Sequence, residues 1–122
     1  MRFFMTVTPP RAFLEGQTPP QSLMEAMGPF MQKAIEAGTL ISTAGLTPLA
    51  EGTFLRARDG RIAVMDGPFA ESKEVIGGYA VMEFATKADA IAAATDFVNL
   101  HVENGVPDVE VSIRPIEGGY NF

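Results

Sequence analysis

Residues 77–114, GGYAVMEFATKADAIAAATDFVNLHVENGVPDVEVSIR, contain the pattern that decides the fold. Two glycines open an apolar strand, and the alternation of apolar and polar residues over 109–113 predicts a second strand. Between these strands the apolar residues recur with helical spacing, from a predicted N-cap at Thr86 to a stop at Gly105. The stretch therefore predicts a strand–helix–strand unit.

The first third of the chain predicts the same order of elements. Residues 2–7 are dense in Phe, Val and Met and predict a buried strand, which ends at a proline-rich loop. From residue 21 the apolar residues follow a helical period, with Gly38 as the predicted C-cap. Pro29 lies inside this stripe, so we expect a kink or a new turn there. Residues 39–46 predict the next strand.

A β-hairpin is predicted between the two units. Residues 53–66 form two extended runs around Asp59-Gly60, the dipeptide that two-residue type I′ turns favour. If Arg58 pairs with Arg61, the residues on either side of the turn alternate between two faces. One face then carries Leu55, Ala57, Ile62 and Val64, and the other carries Phe54, Arg56, Arg58, Arg61, Ala63 and Met65.

The element order predicts a single α+β domain over residues 1–122, a ferredoxin-like two-layer sandwich with an added β-hairpin. Helices cover one face of such a sheet, and the other face must meet water, a ligand or another subunit. The strand that follows the two glycines has no wholly polar side. A homodimer with two-fold symmetry is the simplest way to cover it.

The composition excludes several classes of function. The chain has no cysteine, which rules out disulfides, thiol nucleophiles and Cys-ligated zinc, and its one histidine rules out sites with several histidine ligands. The net charge of −6 has the wrong sign for binding nucleic acid directly. The opening apolar run is too short for a signal peptide or a membrane span, so we expect a cytoplasmic protein. No cofactor and no metal are predicted, although an oxygen-only metal site leaves little trace in a sequence.

Residues 66–74, DGPFAESKE, followed by the Gly77-Gly78-Tyr79 strand start, resemble the signature of the DGPF-containing branch of the YCII-related family. The resemblance extends from the opening strand to the terminal strand at residues 110–115. It implies a dimeric α+β barrel, in which two ferredoxin-like sheets close around a shared interior.

The resemblance says less about function. It implies a regulatory or sensing role, because some relatives are associated with extracytoplasmic-function sigma factors, and related barrels act on small metabolites. The wider group has been proposed to use a His-Asp pair. This sequence departs from that pattern, because its histidine, His101, falls near the end of the second helix.

Asp66 and Tyr79 are candidate site residues at the two ends of the signature. The carboxyl group of Asp66 could act as a general base with its pKa raised by burial, or it could hold the backbone of an Asp-Gly-Pro turn. Tyr79 has an apolar ring and a polar tip, so it could orient a ligand or belong to the core.

Charged residues supply the other candidates. Lys73 could bind a carboxylate or phenolate while Glu71 and Glu74 move protons, or all three could be solvated. Arg56 shares a hairpin face with two further arginines, which could hold an anion or simply protect an edge. For His101 the prediction is a helix-terminal residue stabilised by the helix dipole.

Two functions follow as hypotheses. The first is a binding or regulatory module, a dimeric barrel that holds a small molecule or a protein partner such as a sigma factor. The alternative is an enzyme acting on a small metabolite, such as an aromatic one, with Asp66 as the base and Lys73, Arg56 or Tyr79 as orienting groups. An open interior would favour a small-molecule site, and a filled one would favour a protein partner.

Overall fold

The computed structural model describes residues 1–66 and 76–119, and Gly67–Val75 and residues 120–122 lie outside that description. The described elements are β1 (Arg2–Thr8), α1 (Arg11–Leu14), α2 (Gln21–Glu36), β2 (Leu40–Gly45), a 3₁₀ turn (Leu49–Glu51), β3 (Thr53–Arg58), β4 (Arg61–Asp66), β5 (Gly78–Glu83), α3 (Lys87–Glu103) and β6 (Glu110–Pro115). None of these helices is both long enough and apolar enough to span a bilayer.

Four strands form one antiparallel sheet in the order β2-β5-β1-β6. The central strand β1 is followed by the helices α1 and α2 and then by the edge strand β2. The other central strand, β5, is followed by α3 and then by the edge strand β6. This arrangement is consistent with the predicted ferredoxin-like α+β fold. The chain between β2 and β5 carries the hairpin as an insertion.

The core lies between this sheet and α3. The side chains of Phe3, Met5, Ala80 and Met82 are buried on one face of β1 and β5, because alternate residues of a strand point to the same side. Ala90 and Ala94 of α3 cover them. Alanine has almost no side chain, so α3 can lie close to the sheet.

The hairpin β3–β4 confirms its prediction in detail. Arg58 pairs with Arg61, and the register places the residues on the two predicted faces. Asp59 and Gly60 have φ values of 53° and 76°, the left-handed backbone that a type I′ turn requires. Within the described residues, each strand of the hairpin packs mainly against the other. Its apolar side chains are consequently exposed, including Leu55 and Ile62.

The helix ends also follow the sequence. The hydroxyl oxygen of Thr86 accepts a hydrogen bond from the backbone N–H of Asp89 at 3.2 Å, and Gly38 has φ 75° directly after α2. One expectation was wrong, because the loop after β1 contains one helical turn, α1, which is held by the burial of Leu14. Pro29 lies inside α2, which continues from Gln21 to Glu36, and the kink expected there stays a prediction.

Gly77 is required by close packing. A Cβ atom at this position would lie 2.8 Å from two side-chain atoms of Pro9 and 3.2 Å from Leu14. The backbone here is also fixed, because the N–H of Gly77 donates to the carbonyl of Val7 at 2.7 Å. Its own carbonyl accepts from the N–H of Leu46 at 2.9 Å. The strand start therefore has no room for a side chain.

Glu83 joins the start of β1 to the end of β5. Its Oε2 lies 2.9 Å from the α-amino nitrogen of Met1, and its Oε1 lies 3.7 Å from Nε of Arg2. Hydrogen bonding to the Met1 ammonium group, together with the charges of Met1 and Arg2, lowers the pKa of Glu83 below its ordinary value, although desolvation opposes this effect.

We expect Gly77→Ala to lower the free energy of unfolding by about 1–3 kcal/mol, because the new methyl group overpacks against Pro9. Gly28→Ala is the matched control. Gly28 is helical and has no atom within 4 Å of its Cβ position, so the change should stabilise the protein by about 1 kcal/mol or less. Urea unfolding of both variants checks the prediction, which fails if the two changes have the same sign.

We expect Glu83→Gln to destabilise the protein at neutral pH and not in strong acid. A carboxyl group whose pKa is lowered by folding stabilises the fold above its unfolded pKa, and this contribution is lost as the pH falls through the folded pKa. The difference in Tm between wild type and variant should therefore vanish at low pH. Because the ammonium group of Met1 and the side chain of Glu83 are both partly exposed, this difference should also shrink in concentrated salt. A difference that is independent of pH would contradict this assignment.

Candidate functional site

Helix α2 packs on the sheet less closely than α3 does. Leu23 near its start is buried, whereas the residues that follow on the same stripe are only half buried. These half-buried residues are Met27, Phe30, Met31 and Ala34. The result is a space between α2 and the rest of the chain, which we call the α2 cleft.

Two adjoining cavities make up the α2 cleft. The first, of about 570 Å³, lies between the loop after β1 and the N-terminal half of α2. The second, of about 310 Å³, lies between the C-terminal half of α2, the sheet and α3. Met27 and Met31 line both cavities. One elongated molecule could therefore contact both spaces.

Most of the lining is apolar, and methionine is its most frequent large residue. Five of the seven methionines of the chain line the cleft, namely Met5, Met24, Met27, Met31 and Met82. Methionine side chains are unbranched and polarizable, so they adapt to the shape of what they contact. No charged side chain of the described residues lines either cavity. The lining therefore suits an uncharged, apolar molecule.

The hydroxyl groups of the second cavity are already used within the protein. Thr39 donates to the carbonyl of Ala34 at 3.2 Å, and Thr43 donates to the carbonyl of Tyr79 at 2.8 Å. The hydrogen of each of these two hydroxyl groups is thus committed to the backbone, and only the oxygen lone pairs could bond to a ligand. The second cavity is therefore mainly a hydrophobic contact surface.

His101 is the buried polar side chain of the first cavity. It lies in the last turn of α3, is 7% exposed and lines the cavity opposite α2. Its Nδ1 is 2.9 Å from the carbonyl oxygen of Phe97, one turn earlier in the same helix. The ring of Phe97 packs against the imidazole, with 4.6 Å between the centroids. These contacts fix the orientation of the imidazole ring.

The uncovered face of the sheet carries an aromatic pair. Phe4 and Tyr79 stack across β1 and β5 with 5.8 Å between ring centroids. Val81 lies beside them on the same face, and Thr6 and Ser112 are hydrogen-bonded to each other nearby. Both signs of charge flank this centre, with Arg114 and Glu110 on β6. The open face is thus amphipathic rather than wholly polar.

The structure does not bring the described site candidates together. Asp66 ends β4 and accepts a hydrogen bond from the hydroxyl of Thr53 at 2.9 Å, in an exposed position. Arg56 is exposed in the middle of β3, in the separate hairpin sheet. Tyr79 belongs to the main sheet. The burial that the general-base hypothesis requires of Asp66 is not provided by the described residues of one chain. Glu71, Lys73 and Glu74 lie outside the described residues.

Sequence reasoning missed the α2 cleft. The apolar stripe of α2 at helical spacing predicts ordinary core residues, and this stripe includes Met27 and Met31. Helix α2 does present this stripe to the sheet, but the buried core cluster contains Ala90 and Ala94 of α3 and no residue of α2. The sequence did offer one signal of the cleft, Gly28 and Pro29 in the middle of the stripe, because both residues destabilise a helix.

Within the described residues, no group of His, Asp and Glu side chains could hold a metal ion.

Comparison with known proteins places these features in a family. The family model for the YCII-related domain matches residues 1–112. An uncharacterized protein of Rhizobium meliloti (strain 1021) is 34% identical over 96 residues, which cover 79% of this chain and 74% of that protein. The match is to the YCII-related domain as a whole, and the narrower DGPF assignment stays a prediction.

Proposed function

The chain belongs to the YCII-related family, and on that premise we propose that it is a homodimeric protein that binds a small apolar molecule in the α2 cleft. The observation that carries this proposal is the pair of adjoining cavities that share Met27 and Met31. Their volumes of about 570 and 310 Å³ fall in the range of small-molecule sites, and such sites are mostly apolar with few polar groups.

The loose packing of α2 supports a binding role over a purely structural one. A helix held over empty space loses van der Waals contacts that a filled core would provide. An apolar ligand restores those contacts, because it touches Met27 and Met31 on one side and the sheet on the other. Ligand binding should therefore stabilise the folded chain.

The open sheet face supports the homodimer. Helices cover one face of the sheet, so Phe4, Tyr79 and Val81 on the other face are available to contact another molecule. Glu110 and Arg114 lie on the same face of the edge strand β6, two positions on either side of Ser112. A two-fold axis near Ser112 would bring Glu110 of each copy towards Arg114 of the other. We therefore propose that the two open faces pack together as the interior of a dimeric α+β barrel.

A regulatory version of the proposal uses the same cleft. In this version, a ligand bound in the cleft changes how the homodimer binds a protein partner such as a sigma factor. The enzymatic alternative has less support. Asp66 is exposed, is bonded to Thr53 in the hairpin and lines neither cavity, so nothing in residues 1–66 and 76–119 prepares it as a base.

Ligand binding can be tested with octyl methyl ether and protein labelled with carbon-13 in the methionine methyl groups. We expect the signals of Met27 and Met31 to shift, and those of Met1 and Met65, which line neither cavity, to stay unchanged. Met27→Trp places a larger side chain in the lining that the two cavities share and should weaken binding by about tenfold or more. Ile35→Trp, on the exposed side of the same helix, should leave the affinity within about twofold. Equal shifts of all methionine signals would refute the site.

The dimer can be tested by sedimentation equilibrium. We expect the wild type to sediment as two chains and Val81→Arg to sediment as one, because the change places a charge in the centre of the proposed interface. Ile91→Arg on the exposed side of α3 is the control and should remain dimeric. Circular dichroism shows whether the variants are folded. A monomeric wild type would disprove the dimer without affecting the α2 cleft.

A further inference from the structure

The one histidine of the chain has a hydrogen-bonding capacity that the fold does not use. His101 is more than nine-tenths buried, and its Nδ1 faces the carbonyl oxygen of Phe97 at 2.9 Å. No hydrogen bond joins Nε2 to any group in residues 1–66 and 76–119. Nε2 is not a fully buried atom without a partner, so water or a ligand can reach it from the first cavity.

The position of the proton on the ring follows from the partner of Nδ1. A backbone carbonyl can only accept a hydrogen bond, so Nδ1 must carry the hydrogen. In the neutral imidazole, Nε2 then holds a lone pair and can only accept. Because the Nδ1 edge is turned towards the backbone of α3, the opposite edge, with Nε2, is the one directed into the first cavity.

The rest of the first cavity fixes the class of molecule that would meet this acceptor. Its lining includes no charged side chain of the described residues, so it offers no partner for an ionised ligand. Gln17 and Thr47, its other side chains with polar atoms, are exposed and can be hydrated. The lone pair of Nε2 therefore matches a neutral donor at the end of an otherwise apolar molecule, and a hydroxyl group is the simplest such donor.

We infer that the α2 cleft selects hydrophobic alcohols or phenols, and that Nε2 of His101 accepts the hydrogen bond of their hydroxyl group. This inference rests on the proposed small-molecule function and specifies its ligand class. His101 recognises the hydroxyl group, and the methionine-lined remainder of the cleft holds the hydrocarbon part. A carboxylate is disfavoured because its charge would face a lone pair in an apolar space.

The test compares n-octanol with octyl methyl ether, which has the same chain and oxygen atom but no donor. We expect wild-type protein to bind the alcohol about tenfold more tightly or better. Hydrophobicity alone would favour the ether, so this preference would report the hydrogen bond. His101→Phe should keep the affinity for the ether and lose the preference for the alcohol, whereas His101→Gln, which retains an acceptor, should keep part of it.

A spectroscopic measurement on the wild type makes the test independent of how the variants fold. Labelling with nitrogen-15 histidine gives the signals of a single imidazole, because the chain has one histidine. We expect the Nε2 signal to move towards that of a hydrogen-bonded nitrogen with n-octanol and not with the ether. If both compounds bind equally and Nε2 does not respond, the inference about His101 is wrong and the proposed function stands. If neither compound shifts the methionine signals of the cleft, the proposed function itself fails.

Discussion

The close approach of α3 to the sheet is the constraint on which the rest of the structure depends. Ala90 and Ala94 allow this helix to cover Phe3 and Met5 of the central strand, and Phe3 is completely buried as a result. Helix α2 contributes no side chain to this core cluster. The α2 cleft thus reflects how unequally the two helices contribute to the core.

Those features that depend on a few neighbouring residues could be predicted from the sequence. The Asp59-Gly60 turn sets the hairpin register because a type I′ turn needs positive φ at two consecutive residues, which Asp tolerates and Gly adopts freely. The Thr86 cap needs only the N–H groups of its own helix. The short helix α1 was missed because its stability comes from the burial of Leu14, which is a tertiary contact. Element order was sufficient to predict the ferredoxin-like α+β arrangement, while the dimeric barrel stays a proposal.

The site was harder to predict for a physical reason. Sequence reasoning looks for charged and polar residues, and it selected Asp66, Arg56 and the signature segment. The cleft is built from half-buried apolar residues, and its volume depends on the distance between α2 and the sheet, which no residue pattern encodes. His101 shows the same limit. Its place near the end of α3 was correctly predicted, but its burial and its bond to Phe97 depend on what packs against it.

The insertion between β2 and β5 has a consequence for how this fold can vary. These strands are adjacent, and the bond from the N–H of Leu46 to the carbonyl of Gly77 closes the inserted segment at its base. The free-energy cost of closing a loop rises only with the logarithm of its length, by about 0.6 kcal/mol for each doubling. Closing the inserted segment therefore costs about 2 kcal/mol more than closing a tight turn. Segments of different length and chemistry could therefore replace it over evolution while the sheet and α3 stay unchanged.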